Sequence, residues 1–165
     1  MPFYSGSLAV VQLSSLFNPV MNFAEFELLL ISDRSNVALL GNASQSSVYN
    51  GNPVCGEFGY CGACSDIAAA AIDGNYCTYQ AEGESDPLPW WKVTLATPLL
   101  ASEIFSIDIF PRASGWSSRI NSADLTGFDT SGAVLFSLAL PANAAGGWPA
   151  VITEVAAALR KLIAA

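Results

Sequence analysis

Apolar and polar residues alternate along much of this chain with a period of two, the spacing of strands that bury one face. Leu8–Leu13 (LAVVQL) and Asn22–Ile31 (NFAEFELLLI) are both strand-like, with a turn at Phe17-Asn18-Pro19 between them. In the second run Phe23, Glu25 and Glu27 fall on one face, and Ala24, Phe26 and Leu28 on the other. Val37–Leu40 is a short apolar run, Ala43–Tyr49 is polar and strand-capable, and Asn50–Ser65 is a loop rich in Gly, Cys and Asn. Ile67–Ala71 reads as a helical turn. Trp91–Leu95, Ser102–Phe110, Ser122–Asp129 and Ala133–Leu140 follow as strands separated by Pro, Gly and Ser clusters, with a hairpin turn at Asp129-Thr130-Ser131-Gly132. Trp90 and Trp91, adjacent at a strand start, point to opposite faces, so one anchors a core and the other lies near the surface. Past Pro141 the period changes. Residues 142–147 form a small-residue linker and Val151–Ala165 a helix, with Arg160 and Lys161 suiting the dipole at its C-terminal end. The pattern predicts an all-β antiparallel sandwich over residues 1–141, followed by linker and helix over 142–165.

Composition narrows what such a sandwich does. At 165 residues the chain forms one domain with a proper core. Six Lys and Arg against fourteen Asp and Glu, a net charge of −8, exclude the basic surface that nucleic acid requires. The chain has no histidine, which removes the commonest general base and metal ligand and argues against an enzyme. Glu82, Glu84 and Asp86 cluster as carboxylates that acid–base work on glycosides would need, yet a solvated acidic loop explains them equally. The reading is non-catalytic. No stretch reaches the roughly 18 apolar residues of a membrane-spanning helix, and no basic region precedes the apolar N-terminal residues as it would in a signal peptide.

Cys55, Cys61, Cys64 and Cys77 lie in one loop-rich segment. Cys61-Gly-Ala-Cys64 has zinc-knuckle spacing, but the other two thiols make no second such pair. Two disulfides stapling the loop are the better reading, with three pairings open, and they imply an extracellular or other oxidising compartment.

Four short motifs occur in order: Asn36-Val37-Ala38-Leu39, Ala43-Ser44-Gln45-Ser46-Ser47, Ala71-Ile72-Asp73-Gly74-Asn75 and Pro89-Trp90-Trp91-Lys92-Val93. Over roughly residues 36–138 the series resembles the fucolectin (F-type lectin) group, within the discoidin, or coagulation factor 5/8 C-type, class of galactose-binding-like jelly rolls. That family ends on two strands that have no counterpart in this chain's C-terminal part. Val10-Val11-Gln12-Leu13 and Met21–Leu28 look like the missing pair, so residues 8–31 are expected to close the sandwich as a circular permutation, in preference to a segment spanning two tandem repeats.

The resemblance implies a structural Ca²⁺ held by Asp73, by main-chain oxygens of Ala70, Asn75 and Ala24, and by the Glu25 carboxylate. Without the cation, Asp73 closes an Asx-turn and Glu25 is solvated. It also implies a sugar site. Arg112 and Arg119 keep the family's seven-residue spacing between arginines, while its RGD and vicinal cysteines are missing and Tyr79 or Gln80 stands roughly where its histidine would be. Arg112, Arg119, Trp116 and Tyr79 then form a glycan pocket of guanidinium forks and aromatic faces. The plainer alternative is two solvent-facing arginines with Trp116 packed beneath. The expected activity is that of a lectin-like module binding a glycan or glycoprotein. The rival is an assembly subunit that lost its sugar site, meeting other proteins through its apolar surface and C-terminal helix; the mean hydropathy of +0.42 favours this rival.

Overall fold

The computed structural model describes residues 6–15, 20–49, 67–81, 83, 86–112, 117–121 and 123–140. The strands are β1 (Leu8–Ser14), β2 (Asn22–Leu30), β3 (Asn42–Gln45), β4 (Gln80–Ala81), β5 (Trp90–Leu99), β6 (Ile104–Pro111), β7 (Asp124–Asp129) and β8 (Val134–Ala139). They pair antiparallel into a five-stranded sheet, ordered β3-β5-β1-β7-β8, and a three-stranded one, ordered β4-β2-β6. The fold is all-β. Helical structure among the described residues is limited to 3-10 turns, of which Ala68–Ile72 is the longest. The turn expected at 17–19, the loop at 50–65 and the helix at 151–165 lie outside the described residues.

The first thirty residues supply a middle strand to each sheet. β1 lies between β5 and β7, with Val11 and Leu13 fully buried. β2 lies between β4 and β6 and turns Phe26 and Leu28 into the same core. Trp91 sits at the centre of that core, with Phe23 edge-on at 5.1 Å and Phe26 tilted at 5.2 Å between ring centroids. Its indole N–H donates to the Ala68 carbonyl at 2.9 Å, which ties the Ala68–Ile72 turn across the gap between the sheets. Trp90, one residue earlier, faces outward and is only half-buried, as the alternation requires.

Two strands depart from the sequence pattern. Strict alternation groups Phe23 with Glu25 and Glu27, but the β2–β6 register shifts between Phe23 and Glu25. The extra residue lets Phe23 join Phe26 and Leu28 in the core. β5, expected to stop at Leu95, continues to Leu99 through Pro98. There β3 no longer flanks it, its last pair being Asn42 with Thr94, and the pairing with β1 is itself irregular between Leu8 and Val10. A residue without an N–H is tolerated at such a place.

The β7–β8 hairpin turns at the expected residues. Asp129 Oδ1 accepts from the Ser131 N–H at 2.8 Å, the Ser131 hydroxyl at 2.6 Å and the Ala133 N–H at 2.9 Å, and Gly132 adopts φ +84°. These donors, the Ser131 hydroxyl foremost, hold the Asp129 carboxyl below the usual range. Farther along, Gly127 pairs with Phe136, whose ring lies over the glycine: a Cβ there would sit 2.6 Å from Phe136 Cζ. Gly127→Ala is therefore expected to lose about 1–3 kcal/mol through overpacking, read as a lower urea midpoint.

Candidate functional site

The first candidate site is built on the turn after Ala68–Ile72. Gly74 takes φ +73°, a conformation that glycine adopts without strain, and this folds Asp73 and Asn75 back toward the preceding 3-10 turn. Four oxygens converge on the Thr78 hydroxyl: Asp73 Oδ2 at 2.7 Å, Asp73 Oδ1 at 2.9 Å, the Asn75 carbonyl at 2.7 Å and the Ala70 carbonyl at 3.2 Å. A hydroxyl has one proton to donate, so it satisfies one of these acceptors; the Asn75 carbonyl also takes the Thr78 N–H at 3.1 Å. Asp73 also makes the Asx-turn expected of it, accepting from the Asn75 N–H at 2.8 Å.

β2 brings Glu25 to the same turn. The carboxylate is fully buried, contrary to the solvated alternative, and its Oε1 accepts from the Gly74 N–H at 3.3 Å while Oε2 has no partner. Burial pushes Glu25 up to about 8; the Gly74 N–H pulls against this, and the neighbouring Asp73 and Glu27 charges add to it. Two carboxylates with several carbonyls and a hydroxyl make an oxygen-only set suited to a hard cation. Ala24 is buried beside Glu25, and no described contact brings its carbonyl to the turn. Among the described residues no group of three or more His, Cys, Asp or Glu is set for a metal. Thr78, absent from the sequence reading, is the point the turn closes on; its only signal is a hydroxyl five residues after Asp73.

On the same outer face, Glu27 pairs with Asp108 across β2 and β6. The Tyr76 hydroxyl donates to Glu27 at 2.5 Å, which pushes the phenol up to about 12, and the Tyr76 ring meets Phe110 edge-on at 4.8 Å.

The second candidate site lies where β2 begins and β6 ends. The Arg112 guanidinium stacks over the Tyr79 ring, 3.9 Å from its centroid, so two of the predicted sugar-site residues do meet. They meet differently from the expectation, because the arginine itself covers one face of Tyr79. Tyr79, rather than Gln80, faces this site: Gln80 pairs with Phe23, shares its inward side and is fully buried. Arg119 lies in the 3-10 turn Ser117–Ile120 and is half-buried. Trp116 lies outside the described residues.

Among the carboxylates weighed for catalysis, Glu82 and Glu84 lie outside the described residues. Asp86 is committed to structure. Its Oδ2 accepts from the Ser46 and Ser47 hydroxyls at 2.5 and 2.7 Å, and its Oδ1 from the Leu88 N–H at 3.1 Å. Burial acts to raise its pKa, yet these donors prevail and hold the carboxyl below the usual range, where it is a poor proton donor. Cys77 is disulfide-bonded; Cys55, Cys61 and Cys64 lie outside the described residues, so the pairing is not assigned. No described helix is long and apolar enough to cross a membrane. Comparison with family models, curated proteins and solved structures returns no match to this chain.

Proposed function

We propose that this chain is a circularly permuted, galactose-binding-like jelly roll of the fucolectin type, acting as a non-catalytic carbohydrate-binding module outside the cell. The observation that carries the reading is Arg112, its guanidinium carbon 3.9 Å from the centroid of the Tyr79 ring. Tyr79 would hold the fork in place, and a guanidinium's N–H donors suit ring and hydroxyl oxygens of a sugar. The central places of β1 and β2, one in each sheet, support the permutation. A structural calcium at the Asp73 corner belongs to the same reading, held by Asp73, Glu25, Thr78 and the Ala70 and Asn75 carbonyls. Neutralising the two carboxylates, it would fix the turn to β2.

A second reading, an assembly subunit, is favoured by exposed aliphatic side chains, chiefly Leu40 at 74 %, Leu88 at 60 % and Ile67 at 55 %. A glycan array separates the two. The wild type is expected to bind a subset of glycans, and Arg112→Ala to lose at least about tenfold in affinity, the effect of one charge-assisted hydrogen-bonding fork. An array blank for both proteins leaves the assembly reading.

A further inference from the structure

We infer that Asn22 is a further polar arm of the Arg112–Tyr79 site, and that this site takes an uncharged sugar hydroxyl in preference to an anionic group; the inference rests on the carbohydrate-binding reading above. Asn22 is 1 % exposed, and among the described residues neither its Nδ2 nor its Oδ1 has a hydrogen-bond partner; the amide of Gln80 is likewise unpaired but lies on the inward side with Phe23. A carboxamide closed off from water with both ends unpaired destabilises the protein that carries it, so it calls for an occupant.

Register says where that occupant would sit. Asn22 pairs with Ala81 on β4, while Phe23 pairs with Gln80 on β4 and with Pro111 on β6. Extended one step past the end of β6, the second register would set Asn22 against Arg112. Residues paired across strands project to the same face, so Asn22 and Ala81 share one side of the sheet; continuing the alternation one residue past β6 and one before β4 carries Arg112 and Tyr79 to that side. The Arg112–Tyr79 stack, running from the end of β6 to the start of β4, crosses β2 at this point.

The chemistry of the two side chains then selects the ligand. Arg112 offers donors only and by itself would take a carboxylate, sulfate or phosphate as readily as a hydroxyl. Asn22 offers one acceptor and one amino group. An anion has no proton to give Oδ1 and would face its partial negative charge, whereas a sugar hydroxyl donates to Oδ1 and accepts from Nδ2 or from Arg112. The net charge of −8 disfavours anions further. The carboxamide is sealed from solvent, so a hydroxyl would reach it through a small rearrangement at this end of β2.

The test uses an array printed with neutral oligosaccharides beside their uronic-acid, sialylated and sulfated counterparts, probed with the full chain. The wild type is expected on neutral glycans and not on their acidic counterparts. Asn22→Leu is expected to lose about tenfold on the neutral spots while melting no lower than wild type, because it removes an unpaired amide; a purely structural Asn22 would show the opposite, a lower midpoint with unchanged affinity. Asn22→Ser, which keeps a hydroxyl, decides the matter if the leucine variant does not fold, and is expected to bind severalfold more weakly than wild type. Binding lost in Arg112→Ala but unchanged in the Asn22 variants overturns this inference alone, as does a wild type that prefers acidic glycans. A wild type that binds nothing on the array overturns the carbohydrate reading and this inference with it.

Discussion

Trp91→Ala is expected to cost about 3–5 kcal/mol, much of the roughly 5–15 kcal/mol by which a domain of this size is folded. Trp91 is fully buried, joins β5 to the Phe23 and Phe26 rings of β2, and donates to the Ala68 carbonyl. Truncation therefore opens a cavity between the two sheets and leaves that carbonyl unpaired in the same step. Trp91→Phe restores part of the volume but not the hydrogen bond, and should fall between wild type and alanine. Trp90→Ala is the control. That side chain is half-buried on the outer face, with the Lys92 ammonium 4.9 Å from its ring, and its loss should stay near 1 kcal/mol. Urea unfolding followed by far-ultraviolet circular dichroism ranks the three. Equal losses for Trp90→Ala and Trp91→Ala would refute the placement of the core.

Calcium is expected to raise the unfolding midpoint, adding about 2.7 kcal/mol to the unfolding free energy when its concentration is a hundred times the dissociation constant. The effect should depend on pH through Glu25. Its folded pKa of about 8 stands above the ordinary 4.5, so between these values the metal-free folded state holds a proton that the unfolded chain has released. The stability tied to that proton is fully present below pH 4.5 and is lost as pH climbs through 8, at a slope no steeper than about 1.4 kcal/mol per pH unit. A cation at the corner needs the carboxylate ionised, so binding near pH 6 should release a proton, which titration calorimetry in buffers of different ionisation enthalpy detects. Glu25→Gln is expected to flatten the metal-free pH profile and to weaken the calcium response; Asp73→Asn should weaken that response as well. A calcium shift unchanged in Glu25→Gln would remove Glu25 from the corner.

The strands were legible because each buries one face, and alternation records that directly: β1, β6, β7 and β8 fall within two residues of where the pattern sets them. The bulge at Phe23–Glu25 was not legible. Alternation within β2 alone gives no sign that β6 skips a residue opposite it, and the skip decides which of Phe23 and Glu25 is buried with the core. Pro98 hid the last third of β5, since proline reads as a stop until its neighbours on both sides are known. At the turn, Asp73 stood out through the glycine beside it. Thr78 did not, because a threonine hydroxyl has no distinctive spacing until the backbone curls around it. Asn22 was hidden for a related reason: an amide at the start of a strand is ordinary, and its burial without partners, shared with the inward-facing Gln80, shows only in the folded chain.

Each sheet is built around a strand made early. β1 and β2 leave the ribosome before any of their neighbours, and β5, β6 and β7 follow only after some sixty to a hundred further residues in chain order. Until then Leu13, Phe26 and Leu28 have no sheet to enter, so a nascent chain halted midway exposes two sticky ribbons with both edges unpaired. Such long-range closure makes folding slow and late. Chaperone demand during synthesis is the expected consequence of this topology.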